Sequence, residues 1–428
     1  MKIPKILKTN NDVLCLLYNS KDLITSNILV LVKTGTDYEK KHLNGISHFI
    51  EHLFFKGTVN FPNSKDLSLE LDKIGADYNA FTSYEYTGYY IKTINNYLER
   101  AIFLISDMLS NPLFDQGELE KERNVIFEEI NFHYDTPTSF IFDEAIKIAY
   151  GDQPAGWPIL GTKETLLNIN RETIFNYFKS NYSKKNTLVI ISGNFDEKKI
   201  IKWVEKYFNN YNNLKTPTKK STQKYIVPKK VNIIKRENLK QAHLLFLFKT
   251  KGFKDLKNKR FILDIIKSIL GYGFSSRMFR ILREELGVTY YLKVDCDLYT
   301  DRGYIYIQTA STLDKINITI EKIIYEMVNL KNKLISSGEL EKAKSMILSS
   351  LFSNLETSLN LSFFYGLNYL LLGRIYTIDE HKKIFYKISS REIKEEAKKI
   401  FNKNNLVFSV LCPYNLKLNN LDKIFNKI

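Results

Sequence analysis

The chain is poor in cysteine: Cys15, Cys296 and Cys412 are an odd number, show no C-x-x-C spacing, and each sits in an apolar, strand-like run. That pattern excludes a disulfide framework and a cysteine-held metal, and the three read as reduced core residues. Long apolar runs are also missing. The most apolar stretch, Leu359 to Gly373, is broken by Asn360, Ser362 and Asn368 and falls short of the ~18 apolar residues that a membrane span needs. Lys2, Lys5 and Lys8 imitate the start of a signal peptide, but Asn10, Asn11 and Asp12 interrupt the apolar stretch after them, and there is no small-residue cleavage site. The expectation is a cytoplasmic protein with no membrane span.

Acidic residues are the scarcer charge, 47 Asp and Glu against 63 Lys and Arg, for a net charge of +16. No basic run interleaved with aromatics, and no zinc-finger or RNA-binding signature, gathers that surplus, so nucleic acid is not an expected partner. Lysine far outnumbers arginine, and Asn and Ile are abundant throughout, which reads as a genome-wide compositional bias. At 44% hydrophobic the composition is that of an ordinary globular protein, and 428 residues exceed what one small core holds. Two domains of about 200 residues are predicted.

Histidine is scarce too, six in all, yet two stand in one stretch, Gly45-Ile-Ser-His48-Phe-Ile-Glu51-His52-Leu-Phe-Phe-Lys56-Gly-Thr58. On an α-helix, positions i and i+4 share a face, so His48 and His52 can aim at one ion while Glu51 projects beside them. A lone histidine on an apolar helix face is ordinarily structural. Two histidines and a glutamate within five residues, among Phe49, Ile50, Leu53, Phe54 and Phe55, are harder to bury without a metal or a partner, because an unpaired buried polar group costs several kcal/mol. Two nitrogen ligands beside a carboxylate suit Zn²⁺, and His-x-x-Glu-His is the inverse of the commoner His-Glu-x-x-His.

Before this helix, Leu14–Tyr18 and Ile28–Val32 are β-prone runs that read as a hairpin. After it, Ala76–Ser83 and Glu85–Ile94 look like paired strands, and one long amphipathic pattern runs from about Gln116 to Ala149. The polar, Pro-containing stretch 212–222 reads as a linker, giving an N-terminal metal-binding domain, 1–212, and a C-terminal domain, 223–428. The second half repeats the order of the first, with strands near Tyr225–Ile234, Ala242–Phe248, Thr289–Leu298 and Tyr304–Ala310, helices at Phe261–Leu270 and Met278–Glu285, and helices from Ile316 onward. It carries no His-x-x-Glu-His. The fold class is therefore α+β, two similar domains each with a mixed, mostly antiparallel sheet packed against helices.

A zinc site needs a third protein ligand. The long helical pattern offers Glu122 and Glu129, two turns apart on one face, while Glu128 points about 100° away. His133, at i+4 from Glu129, is within reach of the same region but is a decoy, since the site has its ligands without it.

At this point the sequence resembles the pitrilysin/insulinase family of zinc peptidases, in its half-length branch typified by mitochondrial processing peptidase and its bacterial relatives. The resemblance rests on Gly35-Thr-Asp-Tyr-Glu39 through Lys56-Gly-Thr58, on Asn79-Ala80-Phe-Thr-Ser83, and on Glu122-Arg-x-Val125-Ile-x-Glu128-Glu129-Ile130. It implies that His48, His52 and Glu129 bind one zinc per chain, that Glu51 is the general base, and that Glu122 supports the site from behind its ligands. It also implies that the strand carrying Asn79 and Ala80 pairs with an extended peptide substrate. Arg283 through Tyr290 is similar to the family's Arg-x6-Tyr element, which contacts substrate and the developing oxyanion. Thr289 stands where relatives commonly have Ala, and Tyr291 follows, so either tyrosine can fill that role. A zinc endopeptidase acting on extended peptides, assembled as a homodimer, is what the resemblance implies. The alternative is a non-catalytic scaffold or partner subunit of a processing-peptidase-like complex.

Overall fold

The computed structural model describes residues 2–212, 220–221, 231–414, 416 and 425–428. The first sheet is built from β1 (Lys5–Lys8), β2 (Leu14–Asn19), β3 (Thr25–Val32), β4 (Asp77–Thr82), β5 (Thr87–Ile94) and β6 (Thr187–Gly193), in the order β1-β2-β6-β3-β5-β4. The pair β2/β6 is parallel and the others are antiparallel. The second sheet holds β7 (Val231–Lys235), β8 (Ala242–Lys251), β9 (Leu292–Leu298), β10 (Arg302–Ser311) and β11 (Leu406–Cys412), in the order β7-β11-β8-β10-β9, again with one parallel pair, β7/β11. Apart from β1, strand for strand, the second sheet repeats the first.

Two expectations fail. β2 and β3 are not a hairpin, because β6 lies between them and pairs with both. β6 is apolar along most of its length and buried throughout, and a strand of that kind satisfies its backbone in the middle of a sheet, not at an edge. The long amphipathic pattern also divides, into helices Gln116–Asp135 and Pro137–Tyr150. Pro137 has no N–H to donate, so it opens a helix readily and cannot continue one.

Tertiary contacts group the chain into two compact units: Met1–Phe132 with Gln153–Thr222 and Ser353–Thr377, and His133–Asp152 with Gln223–Phe352 and Ile378–Ile428. The stretch expected as a linker falls mostly outside the described residues. In the first unit, alternate residues of β3 face opposite layers. Ile28, Val30 and Val32 join the core with the motif helix Ile46–Leu53 and helix Leu98–Ser110. On the other face, helix Ser358–Leu372 packs on β3 and β6, at a distance set by Gly366, where a Cβ would stand 2.9 Å from Ile190 and 3.3 Å from Leu31. In the second unit, helix Pro137–Tyr150 packs on β8 and β11, and helix Arg260–Gly271 packs beside β9. Among the described residues, no helix is long and apolar enough to cross a membrane.

Candidate metal centre

The motif helix begins at Gly45, whose φ of +94° lies in the left-handed region and whose Cα faces Leu160 and Gly161 too closely for a side chain. The buried carboxylate of Glu39 accepts from the Gly45 N–H at 2.8 Å, the Ser47 N–H at 3.0 Å and Asn44 Nδ2 at 2.9 Å. It thereby satisfies the helix's first free donors and places negative charge at its positive end. Ile46, Phe49, Ile50 and Leu53 turn into the core. His48, Glu51 and His52 are left on the face toward β4 and helix Gln116–Asp135.

That helix supplies the third donor. Nε2 of His48 and Nε2 of His52 each lie 3.7 Å from Oε2 of Glu129, and the three ligand atoms all fall within 4.8 Å of one another. Ligands held about 2.0–2.2 Å from a tetrahedral zinc stand roughly 3.3–3.6 Å apart, so the three need only a small contraction to hold one ion. The donor set, two imidazole nitrogens and one carboxylate oxygen, is also that of a catalytic zinc with a position left open for water. Glu128 is exposed and directed elsewhere. His133 does not join the cluster; its Nδ1 lies 2.9 Å from Asp143 in the second unit.

Electrostatics around the three suit a cation. His48 is 7% exposed, and burial, with the charge of His52 beside it, pulls its pKa down to about 3, which favours the neutral imidazole that a metal would need. Burial works against the charged form of His52 as well, but the hydrogen bond to Glu122 and the charges of Glu51 and Glu129 outweigh it and raise its pKa. Glu122 Oε2 sits 3.1 Å from His52 Nδ1, and its Oε1 sits 2.6 Å from Lys56 Nζ. Burial would raise the pKa of Glu122, yet its hydrogen bonds to His52 and Lys56 win and lower it. A carboxylate accepting from Nδ1–H leaves the Nε2 lone pair of His52 toward Glu129. Glu51 has its pKa raised by burial, opposed by a hydrogen bond from Thr82 Oγ1 at 2.5 Å.

Asn79 and Ala80 lie on β4, the edge strand of the first sheet beside the motif helix, and Asn79 Oδ1 accepts from the Ala80 N–H at 2.8 Å. Arg283 and Tyr290 belong to the second unit. Arg283 lies in a wide π-helical turn, Arg280–Glu285, and its guanidinium lies 5.0 Å from the ring of Phe279 and 5.8 Å from that of Tyr290. Tyr290 and Tyr291 precede β9, which begins at Leu292 and not at Thr289 as the sequence suggests; Thr289 Oγ1 accepts from the Tyr291 N–H and turns the chain there. Tyr290 is 90% exposed, whereas the Tyr291 hydroxyl donates to Gln308 at 2.8 Å.

Sequence reasoning did not single out Thr82, Lys56 or Glu39. Lys56 stands one helical turn past His52, which is a usable signal; Thr82 and Glu39 stand in stretches singled out for the resemblance, with nothing local to mark a role.

Comparison with known proteins identifies the family. Residues 15–163, which contain the metal motif, match the model for insulinase (peptidase family M16), and residues 168–347, which do not contain it, match that for the peptidase M16 inactive domain. The zinc protease YmxG of Bacillus subtilis is 32% identical over 92% of this chain and 95% of its own length. The mitochondrial-processing peptidase subunit beta of Saccharomyces cerevisiae is 27% identical over 78% of this chain and 75% of its own. A protease from Helicobacter pylori, 21% identical, superposes with a TM-score of 0.89 over 96% of this chain and 99% of its own, which establishes the shared fold. This chain belongs to the insulinase family, peptidase family M16.

Proposed function

We propose that the chain is a zinc endopeptidase that hydrolyses extended peptides. The observation that carries this reading is the convergence of His48, His52 and Glu129 next to Glu51, beside the edge strand β4. His48 and His52 would hold the metal through Nε2 and Glu129 through one carboxylate oxygen, and zinc bound there would supply Lewis acidity toward the scissile carbonyl and toward water. Glu51 takes the proton from the attacking water and hands one to the leaving amine, and the rise in its pKa on burial suits it to both transfers. A peptide adds to the outer edge of β4, the strand of Asn79 and Ala80, which pairs with no further strand among the described residues, so its main chain is held whatever its side chains. Arg283 and Tyr290 are assigned to substrate contact, which for Tyr290 accords with its exposure and with the guanidinium beside it. Two chains form the working assembly, as a homodimer with one zinc in each.

The test is digestion of a mixed peptide library read by mass spectrometry, with three samples: the protein, the protein stripped by a chelator, and Glu51→Gln. Cleavage by the first alone is expected, with the Gln variant slower by about 10²-fold to 10⁴-fold while still holding zinc. Cleavage that survives both treatments would remove the reading.

A further inference from the structure

We propose that Thr82 is a positioning residue for Glu51: its hydroxyl, at the end of β4, holds one carboxylate oxygen so that the other stays turned toward the reacting water. Thr82 Oγ1 donates to Glu51 Oε2 at 2.5 Å, and among the described residues this is the only hydrogen bond to that carboxylate. The donor is itself held in place. Thr82 is the last residue of β4, opposite Thr87 of β5. The ring of its neighbour Phe81 fills the space over Gly88, where a Cβ would stand 2.1 Å from Cζ, and lies 5.3 Å from the ring of Phe363.

Side chains alternate along a strand, so Tyr78, Ala80 and Thr82 share the face opposite Phe81. Tyr78 confirms which face that is, since its ring lies 5.8 Å from that of Phe55, just past the motif helix. Phe81 thus anchors the strand from one side while Thr82 reaches the base from the other. A glutamate side chain has several rotatable bonds, and a base that swings out of line loses rate steeply. With Oε2 engaged by Thr82, Oε1 is the oxygen that carries no hydrogen bond among the described residues and is the one assigned to take the proton. The strand that receives the peptide also orients the base, so substrate and base are referred to one rigid element.

This inference rests on the reading of Glu51 as the base, and the experiment separates the two. Three variants are compared in kcat, KM and bound zinc: Thr82→Val, which keeps the shape and strand preference but removes the donor; Thr82→Ser, which keeps the donor; and Glu51→Gln. Thr82→Val is expected to lose about 10- to 100-fold in kcat, with KM within about twofold and zinc content unchanged, and Thr82→Ser is expected to recover most of the loss. A Thr82→Val enzyme with undiminished kcat, alongside an inactive Glu51→Gln, would overturn the inference alone. So would a loss in Thr82→Val that comes with lost zinc or is not recovered by Ser, since that marks a packing role. An active Glu51→Gln enzyme would overturn the reading of Glu51 as base, and this inference with it.

Discussion

Nδ1 of His52 lies 3.1 Å from Oε2 of Glu122, while the other oxygen of that carboxylate lies 2.6 Å from Lys56 Nζ. The three form a relay from a partly exposed ammonium to a proposed metal ligand. Lys56 keeps Glu122 charged in a buried place, and Glu122 fixes the ring and tautomer of His52. Glu122→Gln and Lys56→Met are each expected to weaken zinc binding by about 10- to 100-fold, measured by competition with a chelator of known affinity. Unchanged affinity in both would mean that the relay is only surface electrostatics.

The two adjacent glutamates of the long helix make opposite predictions. Glu129 faces both histidines at 3.7 Å, whereas Glu128 is exposed. Glu129→Gln is expected to lose zinc and Glu128→Gln to keep about one equivalent per chain, as metal analysis of the purified proteins would show. Equal loss in both would put the helix in the wrong rotational phase.

How far the site was readable depended on how local its parts are. His48, Glu51 and His52 lie within two helical turns, so periodicity alone brings them together, and the same helical phase separates Glu129 from Glu128. Thr82 is different: a threonine in a strand looks the same whether its hydroxyl meets solvent or a carboxylate on another element. The fold divides in the same way. The antiparallel neighbours β4 and β5 follow one another and were evident, whereas β6 enters between β2 and β3 from far along the chain and leaves no local trace there. The run from Gln116 to Ala149 stayed apolar at helical spacing across Thr136-Pro137, so the pattern concealed a break that proline chemistry required.

A pH effect is expected in the second unit, away from the metal ligands. Burial raises the pKa of Asp264 from its ordinary 3.8 to about 6, against the attraction of Lys267 and Arg260. The folded chain therefore binds more protons than the unfolded chain between those two values. This group's contribution to stability falls as pH rises through that window and is level above it. Asp264→Asn removes the titration, so its melting temperature relative to the parent protein is expected to climb between pH 4 and pH 7. A difference that stays flat or declines over that range would contradict it.

The last prediction concerns assembly. The family resemblance implies that the zinc of one chain works with Arg283 and Tyr290 of another, and this sequence carries both elements, so it can pair with itself. Closed two-fold pairing is the commonest arrangement of soluble oligomers. Two inactive variants, His52→Ala and Arg283→Ala, are mixed and allowed to exchange subunits. In a mixed dimer, the His52→Ala chain offers an intact Arg283 to the partner's intact metal ligands, so one of the two sites is whole. Neither parent can assemble such a site. With random exchange, half of the dimers are mixed, so activity is expected to rise to about a quarter of the unmutated protein's, a level set by two-fold symmetry. If exchange is demonstrated independently and no activity returns, each chain completes its own site, and the shared-site arrangement is wrong even if the protein is a dimer.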